Sequence, residues 1–228
     1  MSVGIVTGAS RGLGFELAKE LLARGWRLVV DARGAAELSA ARAELARIGR
    51  VIAIAGDVAD PAHRAALVDA AGPTIDLLVN NASVLGPSPQ PVLADYPLDE
   101  LERVFRVNVV GPLALVQLAL PRLSAGARVL NVSSDAAVEA YVGWGGYGAS
   151  KAALEQATAV LAAEHPELRV YAVDPGDMRT RMHQEAFPDE DISDRPPPEA
   201  SVPGLLALID GELPSGRYRA RELVEALA

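Results

Sequence analysis

The first fourteen residues constrain the fold of this chain more than any other segment. Val3 to Thr7 form an apolar run of strand length, and a glycine-rich turn follows at once, with the sequence Gly8-Ala-Ser-Arg-Gly12-Leu-Gly14. An amphipathic pattern typical of a helix then runs from about Leu13 to Arg24. A strand, a glycine turn and a helix in this order favour a dinucleotide site. Glycines let the backbone approach phosphates closely, and a helix N-terminus offers free N–H groups.

The rest of the chain repeats this alternation of strand and helix. Strand patterns lie at 3–7, 27–31, 51–55, 75–79, 127–132 and 168–173, with a short last one near 217–219. Helix patterns lie near 13–24, 35–48, 61–71, 99–123, 147–164 and 199–209. The alternation predicts an α/β fold, a Rossmann-type doubly wound parallel sheet with helices on both faces, in a single domain over residues 1–228. A ligand then lies beyond the carboxyl ends of the strands. The polar or turn residues at these ends are Thr7, Asp57, Asn80, Ser134 and Pro175.

Composition narrows the class of protein. Half of the 228 residues are apolar, which is enough for a large core, and the net charge of −9 argues against nucleic acid or an anionic membrane as a partner. The apolar run 109–120 is interrupted by Gly111 and Pro112 and falls short of the ~20 residues that span a bilayer. A strand that begins at residue 3 leaves no room for a signal peptide. These features predict a soluble cytoplasmic enzyme.

Metal chemistry is not expected. The chain has no cysteine, so disulfides and thiolate metal sites are impossible. Its three histidines, His63, His165 and His183, are far apart in sequence and are predicted to be surface residues.

The pair Tyr147 and Lys151 indicates acid–base chemistry. The two residues are four positions apart, so on a helix they lie on one face. A free tyrosine titrates near ~10, and a neighbouring ammonium lowers that value and makes the phenol a candidate general acid and base. At this spacing the same two residues are also compatible with a partly buried ring beside a solvated cation.

Taken together, the motifs resemble those of the short-chain dehydrogenase/reductase family, in its compact single-domain branch. The matching elements follow the family's order over residues 3 to 180. They are Thr7 to Gly14, Asn80-Asn81-Ala82-Ser83 with Ser83 in place of the family's glycine, Asn108, Ser134, Tyr147 with Lys151, and Asp174-Pro175-Gly176 with Thr180.

The resemblance implies a catalytic set. Tyr147 would protonate the carbonyl oxygen of a substrate, and Ser134 would hydrogen-bond that oxygen and orient it. Lys151 would lower the tyrosine pKa and hold the nicotinamide ribose, and Asn108 would support a water that replaces the proton. Ser133, the neighbour of Ser134, is expected to point away.

The resemblance also implies the contacts of a nicotinamide cofactor. Gly8, Ser10, Arg11, Gly12, Leu13 and Gly14 belong to the phosphate loop. Asp57 and Val58 resemble the adenine-binding pair, and Asn80 and Ala82 border the adenosine ribose. Pro175, Gly176 and Thr180 complete the site, and Tyr147 and Lys151 also contact the cofactor. Asp57 has a second interpretation as a turn residue before the helix at Pro61.

The end of the second predicted strand bears on the choice of cofactor. An acidic residue there selects NAD, whereas arginine accommodates the 2′-phosphate of NADP. The family's acid falls at position 32, which is alanine, and Asp31 lies one residue earlier, where strand alternation turns its side chain elsewhere. Arg33 and Arg11 are placed to clamp a phosphate. We therefore predict NADP(H) in preference to NAD(H), whereas a shift of one residue would bring Asp31 into the ribose site.

The substrate is predicted only as a small-molecule carbonyl compound or alcohol. Tyr141 and Trp144 precede Tyr147 and either line the pocket or pack against a lid near 177–203. The proline-rich part of that segment, 183–203, is alternatively a mobile surface loop.

Two other functions fit the same fold. A non-catalytic cofactor-binding or sensing protein is disfavoured by the intact Ser134, Tyr147 and Lys151. An epimerase or dehydratase of the extended branch is disfavoured by the short C-terminal region. The helices at 99–123 and 147–164 are unusually apolar, and the family resemblance implies that they form a dimer face, which gives a homodimer or homotetramer. Alternatively, their apolar residues only cover the sheet.

Overall fold

The computed structural model describes residues 1–227 and contains one seven-stranded sheet, in which all pairings are parallel and the order is β3-β2-β1-β4-β5-β6-β7. Each pair of neighbouring parallel strands needs a crossover, and helices supply it. The strands are β1 Val3–Val6, β2 Arg27–Ala32, β3 Val51–Ala55, β4 Ile75–Asn80, β5 Leu123–Val132, β6 Arg169–Asp174 and β7 Gly216–Arg219. The helices are α1 Gly12–Ala23, α2 Ala35–Leu45, α3 Pro61–Ala71, α4 Leu98–Phe105, α5 Gly111–Ala119, α6 Gly145–Glu164, α7 Arg181–Ala186, α8 Val202–Asp210 and α9 Ala220–Leu227.

Two hydrophobic clusters cover the two faces of the sheet. One holds the buried leucines of α1 and α2 together with α8, and the other joins α3, α5 and α6 to the opposite face. Both faces of the central strands are therefore dry, which explains their continuous apolar sequences. The predicted doubly wound α/β fold is confirmed. Strand order reverses between β1 and β4, so the crevice for a ligand opens above these two strands.

The predicted long helix at 99–123 differs in detail. It consists of α4, a π-helical turn over Arg106–Val110, α5 and a final 3-10 turn over Leu120–Arg122. Gly111 and Pro112 do not interrupt it, because Pro112 stands at the start of α5, where its missing N–H costs little. Helical backbone thus runs from 98 to 122, and β5 begins directly after it, four residues earlier than the sequence predicts.

The length of this helical run corrects the expectation that it is too short to span a bilayer. Over its 25 residues, Leu98–Arg122, it is long and apolar enough to cross a membrane by length and composition alone. About 44% of its most apolar window is buried inside the protein, and the core helix of a soluble protein passes the same test. Leu115, Val116 and Ala119 pack into the cluster beneath the sheet, so this helix serves the core.

Candidate active site

The glycine-rich loop after β1 takes a backbone conformation that only glycine adopts easily. Gly8 and Gly12 have φ values of +68° and +59°. A Cβ at Gly14 would lie 2.5 Å from the Nδ2 of Asn81, and one at Gly8 would lie 2.9 Å from the Cα of Ala82. No side chain caps the start of α1, and no acidic residue occupies its first turn. The free N–H groups therefore remain available to an anion such as a pyrophosphate.

A set of hydrogen bonds joins this loop to the loop after β4. The Thr7 hydroxyl accepts the N–H groups of Asn81 and Ala82, each at 3.0 Å, and donates to the Val79 carbonyl at 3.2 Å. The Asn81 amide in turn donates to the carbonyls of Thr7 and Gly8, at 2.8 and 3.1 Å. Asn81 was absent from the predicted site residues, although its position directly after a strand was a usable signal. It holds together the two loops that border the crevice.

Asp31 is buried and engaged within the protein. One carboxylate oxygen accepts the Gly8 N–H at 2.7 Å, and the other lies 2.8 Å from the Nε2 of His63. Both side chains are at most 5% exposed. The prediction of a surface position for His63 is therefore wrong, because this histidine supplies the partner that a buried carboxylate requires. Gly56 makes room for it, since a Cβ there would lie 2.2 Å from the imidazole.

Tyr147 lies in the first turn of α6 and is 8% exposed. Burial raises the pKa of its phenol above the ordinary value, and the hydroxyls of Ser83 and Ser134 oppose that rise by hydrogen bonding, whereas the carboxylates of Asp174 and Asp135 add to it. The expected lowering of the tyrosine pKa by the lysine is thus not what the structure shows. In a dry environment the loss of hydration outweighs the neighbouring groups.

Lys151 is enclosed beside the tyrosine. Its ammonium lies 5.5 Å from the centre of the Tyr147 ring and donates to the Val132 carbonyl at 2.8 Å. Burial lowers the pKa of Lys151 to about 8, and the carboxylate of Glu155 acts in the opposite direction. The two residues do share one helix face, as the spacing predicts.

The two serines after β5 face different neighbours. The Ser133 hydroxyl turns away from the tyrosine and donates to the Oε1 of Glu155 at 2.5 Å. The Ser134 hydroxyl donates to the Oδ1 of Asp135 at 2.8 Å and accepts the Ala136 N–H at 3.2 Å. Ala136 packs with Tyr147 in one apolar cluster, so its bond to the Ser134 hydroxyl places Ser134 near the tyrosine.

Asn108 lies at the centre of the π-helical turn and is 1% exposed. Its Oδ1 accepts from the Val84 N–H at 2.9 Å and from the Ser83 hydroxyl at 3.1 Å. Its Nδ2 donates to the Val84 carbonyl at 2.9 Å and to the Ser150 hydroxyl at 3.0 Å. These four bonds use the whole hydrogen-bonding capacity of the amide, so the side chain ties the loop after β4 to α6.

The remaining predicted cofactor contacts lie around the same crevice. Asp57 uses one carboxylate oxygen to accept the Ala59 N–H at 2.8 Å, which is the turn role considered as its alternative. The Asn80 amide donates to Asn131 at 2.8 Å, so this nitrogen is engaged within the sheet. Thr180 caps α7, and its methyl group would lie 3.7 Å from a Cβ at Gly12. Thr180, in the segment after β6, therefore lies next to the glycine loop.

The positive groups near the loop have different surroundings. Arg11 forms an ion pair with Glu37 at 2.7 Å, and both side chains are about half exposed. Arg181 approaches the other oxygen of Glu37 at 3.8 Å. Arg33 is exposed, and within residues 1–227 it forms no ion pair. Glu37 was not predicted as a site residue, although it stands in the first turn of α2, four residues after Arg33.

An aromatic row connects the tyrosine to the 177–203 segment. The ring of Trp144 lies 5.9 Å from that of Tyr147, 6.3 Å from that of Tyr141 and 5.7 Å from that of Phe187. Leu85 and Met182 join the same apolar cluster. Trp144 therefore borders the catalytic candidate Tyr147 and also packs against α7 in the 177–203 segment. The segment 177–203 contains α7 and a 3-10 turn at Pro198–Ser201.

These features define a Rossmann-type oxidoreductase with an NAD(P)-binding crevice. A family model described as short chain dehydrogenase matches residues 2–191. The chain belongs to the short-chain dehydrogenase/reductase family.

Individual proteins agree with this assignment. The chain is 33% identical, over 99% of its length and 87% of the relative, to a rhamnolipids biosynthesis 3-oxoacyl-[acyl-carrier-protein] reductase from Pseudomonas aeruginosa. A short chain dehydrogenase structure from Pseudomonas syringae superposes with a TM-score of 0.89 at 30% identity, covering 96% of this chain and 94% of the other. Another, from Shigella flexneri and complexed with NADP, gives 0.85 at 28% identity, covering 96% and 97%.

The low pKa of Lys151 predicts how stability depends on pH. Below about pH 8 the native and unfolded states both carry the charge. Between about 8 and the ordinary value of 10.5 the native lysine is neutral while the unfolded one is charged, so the free energy of unfolding rises with pH in this window. Relative to Lys151→Met, wild type should gain about 2 kcal/mol from pH ~7 to ~10. Urea unfolding at several pH values measures this difference.

Lys19→Met is the matched control, because a bond to Glu16 raises the pKa of Lys19 and its charge persists through the same window. The difference between wild type and this control should stay constant with pH. A constant difference for Lys151→Met as well would mean that Lys151 keeps an ordinary pKa.

Proposed function

We propose that this protein is an NADP(H)-dependent oxidoreductase that transfers a hydride between the nicotinamide and a carbonyl or secondary alcohol of a small molecule, with Tyr147 as general acid and base. The observation that carries the proposal is the convergence of Ser134, Tyr147 and Lys151 beyond the carboxyl end of β5. The ammonium of Lys151 lies beside the tyrosine ring, and the Ser134 hydroxyl accepts the N–H of Ala136, which packs with Tyr147 in one apolar cluster. A protein that only senses a cofactor has no need of a buried proton donor.

The residues beside β1 fit a dinucleotide. The uncapped N-terminus of α1 and the left-handed glycines offer N–H groups to a pyrophosphate. Gly8, Ser10, Arg11, Gly12, Leu13 and Gly14 would hold it. Asp57, Val58, Asn80 and Ala82 would border the adenosine, and Pro175, Gly176 and Thr180 the nicotinamide end.

The chain's own groups then supply the proton. When bound, the cofactor supplies the hydride. Tyr147 gives its proton to the carbonyl oxygen as negative charge develops there, and Ser134 donates a hydrogen bond to the same oxygen. To do so the Ser134 hydroxyl turns from Asp135, its present acceptor. Lys151 contributes a positive charge beneath the site, and Asn108 keeps the loop after β4 against α6.

We also infer that the 177–203 segment is a substrate lid. Phe187 and Met182 face Trp144 and Tyr147 across the apolar cluster, and the Ser88 hydroxyl joins the opposite loop to α7 through the Glu185 carbonyl at 2.6 Å. This lining favours a substrate with an apolar body. The cytoplasmic location and the absence of nucleic-acid, membrane and metal partners stay predictions from composition.

Tyr147→Phe tests the proton donor. The variant keeps the ring and its packing but loses the hydroxyl, so turnover of carbonyl compounds with NADPH should fall by ~10²–10⁴-fold while cofactor affinity stays within a few-fold. Steady-state rates on a panel of ketones, aldehydes, quinones and keto-esters, with NADPH binding by fluorescence, make the comparison. Tyr218→Phe is the control, because this tyrosine lies on the edge strand β7 and its hydroxyl bonds the Pro214 carbonyl.

Retention of more than about a tenth of wild-type turnover would show that Tyr147 is not the acid, since that loss is below the range for general acid catalysis. A wild type that binds cofactor and turns over no member of the panel would instead support the sensing protein.

The proposed preference for NADP(H) rests on the surroundings of Asp31 and of Arg33. Asp31 is occupied by Gly8 and His63 and is 1% exposed, so its carboxylate is withheld from a ribose. Arg33 is exposed beside the start of α2, where its guanidinium would pair with the 2′-phosphate of NADP. The Shigella flexneri neighbour complexed with NADP is consistent with this choice. Glu37 opposes it, because this carboxylate already pairs with Arg11.

Titration of NADPH and NADH against wild type, Arg33→Ala and Glu37→Gln tests the proposed cofactor preference. Wild type should bind NADPH more tightly. Arg33→Ala should lose about tenfold or more in NADPH affinity and little in NADH affinity, since a hydrogen bond to a charged group contributes about 1.5–3 kcal/mol. Glu37→Gln frees Arg11 and should strengthen NADPH binding alone. The preference would be contradicted if wild type bound NADH more tightly than NADPH, or if Arg33→Ala bound NADPH with the affinity of wild type.

We propose that the protein forms a homodimer or homotetramer, because the long helix and α6 expose apolar side chains. Val110, Leu113 and Leu118 lie on the long helix and are 39–53% exposed, and Val160 on α6 is 45% exposed. Side chains of this kind, grouped on neighbouring helices, favour a two-fold interface between copies.

Light scattering at micromolar concentration should give at least twice the monomer mass. Leu113→Arg with Val160→Arg should reduce it to the monomer, because two buried guanidiniums would face their own copies. Ile48→Arg, in the turn that follows α2, is a similarly exposed control outside this surface. A wild-type monomer would contradict the assembly.

A further inference from the structure

Arg217, on the edge strand β7, reaches past β6 to the residues that follow β5. Its Nε donates to both carboxylate oxygens of Glu155 on α6, at 2.9 and 3.1 Å. Its Nη2 lies 3.5 Å from the Oδ2 of Asp174, at the end of β6, and donates to the Ser134 carbonyl at 3.4 Å. One guanidinium thus connects β7 to α6, to β6 and to the residue directly after β5.

The two carboxylates around Arg217 are shielded from water and need a cation. The side chains of Glu155 and Asp174 are 14% and 6% exposed, and a buried carboxylate without a partner is costly. Arg219 lies 4.0 Å from Asp174 and also pairs with Glu222. Among the residues that the structure describes, Arg217 is the only one that forms an ion pair with Glu155. Its orientation is therefore set by this carboxylate.

Glu155 extends the constraint to the serine pair after β5. Its Oε1, which accepts from Arg217, also accepts the Ser133 hydroxyl at 2.5 Å. The next residue, Ser134, is held through its carbonyl, which accepts the Ala137 N–H at 3.1 Å as well as the guanidinium. Arg217 therefore acts on both residues, on Ser133 through Glu155 and on Ser134 directly.

The placement of this backbone matters because Ser134 has to move its hydroxyl. That hydroxyl donates to the Oδ1 of Asp135 at 2.8 Å, and in the proposed reaction it turns to the carbonyl oxygen of the substrate. Rotation of a side chain places its hydroxyl reproducibly only if the backbone that carries it stays fixed. An error of 1 Å in the position of a reacting group can cost about 10²-fold in rate.

We propose that Arg217 is a positioning residue for Ser134, and that its bonds to Glu155 and to the Ser134 carbonyl hold residues 133 and 134 so that the Ser134 hydroxyl meets the substrate oxygen. This rests on the proposed function. Arg217 acts on the backbone of the site and not on the substrate or the cofactor, and its guanidinium stays charged throughout. The edge strand β7 thereby becomes part of the active site.

A double-mutant cycle with Ser134 tests the proposal. Arg217→Met should lower kcat about tenfold for the panel compound that wild type reduces fastest with NADPH, and change the KM for NADPH less than about threefold. In the Ser134→Ala background the same substitution should lower kcat less than about twofold, because no hydroxyl is left to position. Residues that act through one another are non-additive in this way, whereas a general loss of stability lowers kcat alike in both backgrounds.

Arg219→Met is the matched control. It removes an arginine from the same strand and beside the same Asp174, but one that bonds neither Glu155 nor Ser134, so its kcat should equal that of wild type. If Arg217→Met does not fold, Arg217→Lys completes the cycle, since it keeps the charge and loses the planar fork that serves two neighbours.

An equal fold-loss of kcat in both backgrounds, an unchanged kcat in Arg217→Met, or an equal loss in Arg219→Met would overturn the proposal. The proposed function would fail instead if Ser134→Ala itself kept the wild-type kcat, or if wild type reduced no compound of the panel.

Discussion

The hydrogen bonds between Thr7 and Asn81 join the two loops on which the rest of the site depends. β1 and β4 are neighbours in the sheet and their helices leave in opposite directions, so nothing in the sheet itself closes the crevice above them. Asn81 binds the carbonyls of Thr7 and Gly8, and Asp31 binds the Gly8 N–H. The glycine loop is thus held from both sides before a ligand arrives, which reduces the entropy that binding must overcome.

Burial dominates the electrostatics around the tyrosine. The phenol and the ammonium of Lys151 are both shielded from water, and burial shifts both pKa values toward the neutral forms. Burial therefore favours the neutral phenol and the neutral amine, and the charges of nearby groups only reduce or increase these two pKa shifts. Hydroxyls from Ser83 and Ser134 are the groups that act against it. Burial is therefore the main influence on the pKa of the phenol.

The long helix contributes through its irregularity. The π-helical turn at 106–110 carries Asn108 into contact with both the loop after β4 and α6. π-helical turns of this kind often lie at functional sites, because the extra residue redirects a side chain. Asn108 here ties Val84 to Ser150, one turn after Tyr147 on α6. Through this amide the position of the tyrosine and that of the loop are set together.

The sequence by itself determined the order of strands and helices, the glycine loop and the face shared by Tyr147 and Lys151, because period, turn chemistry and short spacing are local properties. Only the tertiary structure decided that His63 is the buried partner of Asp31, that Ser83 meets Asn108, and that burial outweighs the lysine at the phenol. Each of these joins residues 25 to 32 positions apart, or concerns water excluded by many segments together. Desolvation and distant pairing have no signature in a local pattern, since they arise only when the sheet brings its loops to one edge.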